Sequence, residues 1–340
     1  MIDEQTIIDA LDARVRRRTE RREFFRIAGA SATAVAGTSL LAACFGDGDD
    51  DDNGNIGVIS PTPTPTPSPT STTGAVTDAD ILNFALNLEY LEAQFYSFAA
   101  TGSGLSSSLL GGTGTQGSVT GGRKASFSDP VVAAYANEIA GDEVAHVAFL
   151  RSQLGSAVVA QPAIDISGTD PNGAFSNAAR SAGLVGAGQA FDPYANDENF
   201  LLGAFIFEDV GVTAYKGAAP LLASKAFLEA SAGILAAEAY HAGLIRTVLF
   251  RKGIATPALR TSADKISDAR DSLDGSTDLD QGISPMGAAS NIVPADANGI
   301  AFSRTPGQVL NIAYLTRMAV TRGGFFPAGV NGKINMSAAS

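Results

Sequence analysis

Glu143-Val-Ala-His146 and Glu238-Ala-Tyr-His241 are the segments that decide the fold of this chain of 340 residues. The chain has two histidines, and each of them follows a glutamate by three positions. Residues three apart on an α-helix lie on one face, so the carboxylate and the imidazole of each pair can bind one metal ion. With 11 glutamates in the whole chain, chance rarely places one at this spacing before both histidines.

Two helices with Glu-x-x-His pairs, together with one inward glutamate from each of two further helices, form the di-metal carboxylate site of ferritin-like four-helix bundles. Glu89 and Glu208 meet this second requirement, because each ends a strongly apolar run, Ala85-Leu-Asn-Leu-Glu89 and Ala204-Phe-Ile-Phe-Glu208. An exposed or differently paired glutamate is the alternative for each of them. Glu92 competes with Glu89, since it lies three residues later on nearly the same face.

An internal repeat favours Glu89 over Glu92. When the first predicted helix is aligned with the third, and the second with the fourth, the matching pairs are Ala85/Ala204, Glu89/Glu208, Tyr96/Tyr215, Glu143/Glu238 and His146/His241. Glu92 falls on Gly211 in this alignment, whereas Glu89 falls on a second glutamate. The chain therefore reads as two related helical hairpins, each with one glutamate helix and one Glu-x-x-His helix.

The sequence predicts an all-α fold with four bundle helices within residues 77–253. Hydrophobic periodicity and capping residues place them at about 77–100, 130–154, 197–219 and 225–252, the last closed by Gly253. The second and third are joined by a long crossover, residues 156–196, as ferritin-like bundles require. Residues 254–340 are polar and turn-rich until Thr305-Pro306, which predicts an additional helix to about Val320. We expect this C-terminal extension to pack on the outside of the bundle.

The predicted metal ligands, which are also the candidate catalytic residues, are Glu89, Glu143, His146, Glu208, Glu238 and His241. Their four carboxylates would nearly neutralise two divalent cations, whereas without metal a buried cluster of this kind would be costly. Oxygen and nitrogen ligands suit two Fe or Mn ions, and Zn also fits. The alternative is a solvated helix face, but both pairs lie in alanine-rich helices with few other charges.

Tyr96 and Tyr215 are further candidate catalytic residues, each seven positions after one of the bundle glutamates. Two helical turns place each tyrosine on the same face as its glutamate. They could donate a hydrogen bond to a ligand carboxylate, act in electron transfer, or simply be amphipathic core aromatics.

The first 44 residues are expected to be an export signal. Arg21-Arg22-Glu23-Phe24-Phe25-Arg26 resembles the twin-arginine motif, an apolar stretch follows over 27–43, and Leu41-Ala42-Ala43-Cys44 resembles a bacterial lipobox. The resemblance implies that Cys44 is lipidated and anchors the mature protein to a membrane at the periplasm or cell surface. The alternative is a free or buried thiol. Because Cys44 is the only cysteine, an intrachain disulfide and a thiolate metal site are excluded.

Residues 45–76 are expected to form a solvated tether between the anchor and the bundle. They contain an acidic run at 47–52 and alternating prolines at 61–69, which favour extended polyproline II conformations. The net charge of the chain is −12, and no basic stripe occurs outside the first segment. This charge argues against nucleic acid as a partner.

Two runs in the predicted bundle resemble the ferritin-like domain of desiccation-related proteins: residues 81–96, Ile-Leu-Asn-Phe-Ala-Leu-Asn-Leu-Glu-Tyr-Leu-Glu-Ala-Gln-Phe-Tyr, and 142–146, Asp-Glu-Val-Ala-His. In the tail, residues 304–314 and 323–327 resemble the C-terminal extension of the same family. The resemblance covers roughly 77–330 and implies a ferritin-like fold and a role in stress. The Gly/Ser-rich loop at 101–127 departs from the family pattern.

Three functions remain compatible with the sequence. The first is an oxidoreductase that acts on metal ions and small oxidants, as a ferroxidase, a peroxidase or a catalase-like enzyme, in oxidative or desiccation stress. The second is a non-catalytic metal-binding or protective envelope protein. The third is a bundle stabilised by structural Zn. A homo-oligomer is compatible with each, although the tail, the Gly-rich loop and the tether would obstruct a closed ferritin cage.

Overall fold

The structure is a computed structural model that describes residues 75–340. The predicted signal peptide and nearly all of the predicted tether lie outside the described residues. Within residues 75–340, no helix combines the length and the apolarity needed to cross a membrane. The elements of this part of the chain are α1 (Asp78–Thr101), β1 (Val119–Gly121), α2 (Pro130–Leu154), β2 (Ile164–Ile166), α3 (Ala174–Ser181), α4 (Asp197–Ala218), α5 (Lys225–Ala255), α6 (Ala258–Asp274) and α7 (Pro306–Ala313).

Helices α1, α2, α4 and α5 form the predicted four-helix bundle. α1 packs chiefly against α2, and α4 packs chiefly against α5, so the two hairpins of the internal repeat are also the two halves of the bundle. Thr77 caps α1 in a reciprocal capping box with Asp80. Asp129 caps α2 and is followed by a proline in the first turn, whose missing N–H costs nothing there.

The crossover between α2 and α4 is more ordered than the sequence suggested. It contains α3 and the short strand β2, and β2 pairs in parallel with β1 from the Gly/Ser-rich loop. The loop is thereby tied to the crossover at the end of the bundle. An aromatic cluster packs beneath them, in which Phe95 of α1 lies 5.3 Å from Phe175 of the crossover and 5.6 Å from Phe200 of α4, measured between ring centroids.

Two helix ends differ from prediction. α5 does not end at Gly253 but continues to Ala255, because a glycine inside a helix costs only about 1 kcal/mol. At this position a Cβ would lie 2.4 Å from Cγ of Arg260, so the absent side chain makes room for the next helix. α7 ends at Ala313 rather than near Val320. The carbonyl of Ala313 accepts a hydrogen bond from the amide of Phe325, which returns across the helix end.

Helix α6 was not predicted, because its sequence is mostly polar. Its buried side includes Leu259, Ala263, Ile266 and Arg270, spaced three or four residues apart, so the helix is amphipathic with a charged residue on the buried side. The C-terminal extension contacts the bundle through α6, α7 and the segment around Phe325. Phe325 is fully buried, and its ring lies 4.9 Å from that of Phe207 on α4.

A buried network of three arginines and three aspartates joins the extension to α4 and α5. Its members are Asp209, Arg246, Arg270, Asp274, Asp280 and Arg304. Arg246 is fully buried and donates to Asp209 and to four backbone carbonyls within 281–292. Buried charges of this kind are tolerated only when each is paired and hydrogen-bonded.

Candidate metal centre

The structure brings all six predicted ligands together in the middle of the bundle. Glu89 comes from α1, Glu143 and His146 from α2, Glu208 from α4, and Glu238 and His241 from α5. The four glutamates are at most 1% exposed, and the side chain of His146 is 12% exposed. The helical spacing of three residues points each glutamate and its histidine toward the same space.

His146 faces three of the carboxylates through one ring nitrogen. Its Nδ1 atom lies 3.2 Å from Oε2 of Glu89, 3.4 Å from Oε2 of Glu143 and 3.8 Å from Oε1 of Glu238. Within residues 75–340, ligand atoms of these four residues lie within 4.8 Å of one another, as one metal ion requires.

His241 occupies the corresponding place in the second half of the cluster. Its Nδ1 atom lies 3.1 Å from Oε1 of Glu143 and 3.6 Å from Oε2 of Glu208. Ligand atoms of Glu208, Glu238 and His241 also lie within 4.8 Å of one another. The two imidazole rings are 6.2 Å apart between centroids, and the donor atoms form two adjacent groups, each of which could hold a metal ion.

Glu143 and Glu238 are shared between the two positions. Glu143 directs one oxygen toward each histidine, and Glu238 belongs to both groups of ligand atoms. These two carboxylates come from the two Glu-x-x-His helices, whereas Glu89 and Glu208 each serve one position. The arrangement matches the internal repeat, in which each hairpin supplies one shared and one terminal carboxylate.

The two tyrosines cross-link the halves of the cluster. Tyr96 on α1 donates its hydroxyl hydrogen to Oε1 of Glu208 on α4, and Tyr215 on α4 donates to Oε1 of Glu89 on α1. Each tyrosine therefore binds the glutamate of the opposite helix rather than the one seven positions before it. The hydrogen bond orients each terminal carboxylate and leaves its other oxygen directed at the cluster.

The donor set fits two metal ions. Eight buried atoms of the six residues have no partner in hydrogen-bond geometry: Oε2 of Glu89, both oxygens of Glu143 and Glu238, Oε2 of Glu208, and Nδ1 of both histidines. Buried polar atoms without partners are costly, and these all converge on one small volume. Metal coordination would satisfy them together, and it would balance the charge of four carboxylates.

Comparison with known proteins agrees with this geometry. The model of the family described as "Ferritin-like domain" matches residues 77–251, the four bundle helices and their crossover. The chain belongs to the ferritin-like domain family. No solved structure matches it significantly.

Two curated relatives align with most of this ferritin-like chain. The desiccation-related protein PCC13-62 of Craterostigma plantagineum is 33% identical over 273 residues, which cover 76% of this chain and 84% of that protein. The ferritin-like catalase Nec2 of Nesocodon mauritianus is 30% identical over the same coverage of both chains.

Burial and neighbouring charges shift the pKa values of the ligand residues in the absence of metal. Burial raises the pKa of Glu89 to about 7, and burial with neighbouring carboxylates raises the pKa of Glu238 well above its usual range. Burial lowers the pKa of His146, but the charges of Glu89 and Glu143 outweigh it and raise that pKa to about 11. For Glu143, burial is outweighed by both histidines, which hold its pKa below the usual range.

These shifts predict that metal affinity rises with pH. Metal binding requires neutral imidazoles and ionised carboxylates, so His146 and Glu238 must release protons at neutral pH. Each proton released strengthens binding by roughly tenfold per pH unit. Calorimetric titration with Mn(II) in buffers of different ionisation enthalpy measures how many protons are released when the metal binds. Because the chain has two histidines, imidazole NMR of the protein without metal can follow the protonation of both rings separately. Affinity that is independent of pH from 6 to 8 would contradict the prediction.

Three residues next to the cluster escaped the sequence analysis or were left undecided by it. Glu92 is 6% exposed and lies beside the cluster, where burial and neighbouring carboxylates raise its pKa well above the usual range. Asp142 lies 3.4 Å from Nε2 of His241 and can orient that ring. Gly211, aligned with Glu92 in the repeat, allows α4 to approach Glu238, because a Cβ there would lie 2.3 Å from its Oε2 atom.

Proposed function

We propose that this protein is a lipid-anchored, extracytoplasmic ferritin-like protein that binds two Fe or Mn ions and disposes of hydrogen peroxide. The observation that carries the proposal is the buried cluster of four carboxylates and two imidazoles, whose unpartnered atoms converge on two adjacent positions. The relative named as a ferritin-like catalase supports peroxide as the substrate. The relative named as desiccation-related supports a role in stress.

The overall reaction is the conversion of two molecules of hydrogen peroxide to two of water and one of dioxygen. One peroxide is reduced and the other oxidised, so no further oxidant or reductant is needed. Two Fe or Mn ions would supply the site that accepts and returns the two electrons. Glu89, Glu143, His146, Glu208, Glu238 and His241 would hold them.

The protein's own side chains orient the metal ligands and shield the centre from bulk water. Tyr96 and Tyr215 fix the terminal carboxylates through hydrogen bonds from their hydroxyl groups. The cluster is nearest to solvent beside His146 and Asp142, whose side chains are 12% and 11% exposed. A small polar substrate would enter on this side, between α2 and α5. Burial elsewhere excludes bulk water.

Oxygen evolution tests the proposed reaction. Protein purified from its own envelope, with its metal content measured, is expected to release one O₂ per two peroxides consumed, well above the same concentration of free metal. The Glu143→Ala/Glu238→Ala double variant is expected neither to consume peroxide nor to release O₂ above the level of free metal. Peroxide consumption that requires a reductant would indicate a peroxidase, and oxygen-dependent loss of Fe(II) would indicate a ferroxidase. Absence of all three above free metal would refute an enzymatic role.

A second candidate function is non-catalytic protection during drying, which the desiccation-related relative favours. It predicts tight binding of metal without turnover, and loss of drying tolerance when the gene is deleted. A variant without metal but with normal folding separates the two functions. If Glu143→Ala/Glu238→Ala restores drying tolerance to the deletion strain, protection does not depend on the metal centre.

The membrane anchor has its own test. Cys44→Ala is expected to move the protein from the membrane fraction to the soluble fraction outside the cytoplasm, because lipidation requires the thiol. Arg21→Lys/Arg22→Lys is expected to retain the protein in the cytoplasm. If the Cys44→Ala protein stays with the membrane, the lipid anchor is disproved. Another part of the chain must then contact the membrane.

A further inference from the structure

A small cavity lies behind the metal centre, on the side away from His146. Its volume is about 30 Å³, and its walls come from α1, α4, α7 and the segment around Phe325. Val309, Ile312 and Ala313 of α7 form its outer wall, so the C-terminal extension supplies part of the lining. Nearly all of the wall is apolar, and Glu92 is the one charged residue that lines it.

Gly211 connects this cavity with the metal centre. It lines the cavity, and a Cβ at this position would lie 2.3 Å from Oε2 of Glu238, the carboxylate shared by both metal positions. The same Cβ would lie 3.6 Å from Oε1 of Glu92. Because Gly211 has no side chain, only the backbone of α4 lies at this point between the apolar space and a ligand of both positions.

The internal repeat relates two of the residues that line the space. Gly211 and Glu92 occupy equivalent places in the two hairpins. The side chain that α1 supplies is absent from α4, and Oε2 of Glu238 occupies the place that a Cβ at Gly211 would take. Packed interiors rarely keep such voids, because each lost contact costs dispersion energy.

The chemistry of the wall excludes a stable water molecule. A buried water needs two to four polar partners, and Glu92 is the only charged residue lining the space. A cavity needs roughly 10–15 Å³ to hold one water, so 30 Å³ admits a slightly larger molecule. Dry apolar cavities bind small apolar molecules such as xenon.

We propose that this cavity is a dioxygen site, which receives the O₂ released at the metal centre and separates it from the polar peroxide entry beside His146. The proposal rests on the proposed peroxide reaction for the source of the O₂. The binding itself depends only on the shape and polarity of the cavity, so the two claims can fail separately.

Xenon is the probe for this site. Crystals of the protein as purified, with its metal, are expected to show one anomalous xenon peak between Gly211 and Ala313 under moderate xenon pressure. Raising the O₂ pressure at constant xenon is expected to lower that occupancy by at least half, since both gases occupy the same space. Ordered water in the cavity, or xenon bound elsewhere but not here, would overturn the proposal.

Substitutions in the cavity wall show whether the xenon occupies this cavity. Ala313→Leu fills the cavity and is expected to reduce xenon occupancy at least tenfold. Ala100→Leu is the matched control, because both alanines are 8% exposed and Ala100 does not line the cavity. If Ala313→Leu does not fold, Val309→Ala enlarges the cavity instead and is expected to raise the occupancy. Equal occupancy in wild type, Ala313→Leu and Val309→Ala would overturn the proposal.

Oxygen evolution distinguishes failure of this site from failure of the proposed function. Xenon binding without peroxide turnover would support the gas site and would refute the claim that its O₂ comes from peroxide. Turnover without xenon binding would leave the catalytic proposal intact and refute the site.

Discussion

Glu238→Gln is expected to lose both metal ions and, at the same time, to make the metal-free protein more stable. Glu238 is fully buried and belongs to both groups of ligand atoms, so its charge serves both metal positions. An amide of the same shape is a poor ligand for Fe or Mn, whose sites favour carboxylate oxygen. We expect metal content to fall from about two ions per chain to near zero, and peroxide turnover to fall to that of free metal.

The opposite effect on the metal-free protein follows from charge repulsion. Burial and the carboxylates of Glu92, Glu143, Glu208 and Glu89 raise the pKa of Glu238, which shows that its ionised form is unfavourable there. The metal-free fold must therefore bind a proton at Glu238, which costs free energy at any pH above the usual pKa of a glutamate, whereas glutamine is neutral without a proton and keeps the volume. After chelation, Glu238→Gln should therefore melt at a higher temperature than wild type, whereas before chelation it should melt at a lower one.

Two comparisons sharpen the Glu238→Gln experiment. Glu229→Gln lies on the same helix but is exposed, and it should change neither metal content nor melting temperature. Glu208→Gln affects a residue found in one ligand group, and it should leave about one ion per chain. Two bound ions in Glu238→Gln would show that Glu238 is not shared, and would contradict the arrangement of the centre.

Arg304→Met is expected to destabilise the protein by about 3–5 kcal/mol, because it breaks a buried ion pair from one side. Arg304 is 1% exposed, and its guanidinium group binds Asp274, Asp280 and the hydroxyl of Thr213 on α4. Asp280 keeps Arg270 as a partner at 2.7 Å when Arg304 is lost. Asp274 is left buried without a cation, and this uncompensated charge is the largest part of the cost.

Thermal unfolding of the metal-free protein measures this effect. For a domain of this size, 3–5 kcal/mol corresponds to a fall in melting temperature of roughly 6–20 °C. Arg322→Met is the matched control, because Arg322 is exposed on the same extension and should shift stability by less than about 0.5 kcal/mol. Arg304→Met/Asp274→Asn should recover part of the loss. A double variant no more stable than Arg304→Met would show that the charge on Asp274 is not the cause.

The six candidate ligands could be predicted from sequence because helices impose their own geometry. A spacing of three residues puts Glu143 beside His146 wherever the helix packs, and the repeat then identifies Glu89 and Glu208. Helix starts were predicted well for the same reason, since Thr77, Asp129, Asn196 and Ser224 cap their helices through local hydrogen bonds.

The helix ends and the polar helix α6 depended on partners far away in sequence. Gly253 continues a helix because Arg260 packs over it, and α7 stops where Phe325 binds the carbonyl of Ala313. α6 is mostly polar and carries Arg270 at a position of its buried side where an apolar residue would be expected, which weakens its hydrophobic pattern. Its stability depends on Asp209 and Asp280, which approach Arg270 only in the folded chain.

The sequence by itself determined the all-α bundle, its four long helices and the identity of the Glu and His residues that face its centre, because these follow from local periodicity and capping. The packing of the helices sets which carboxylates contribute to both halves of the cluster and which tyrosine binds which glutamate. The sharing of Glu143 and Glu238, the pairing of Tyr96 with Glu208 and of Tyr215 with Glu89, and the cavity beside Gly211 all depend on how the hairpins pack. Contacts between helices are set by the fit of whole surfaces, which no local pattern contains.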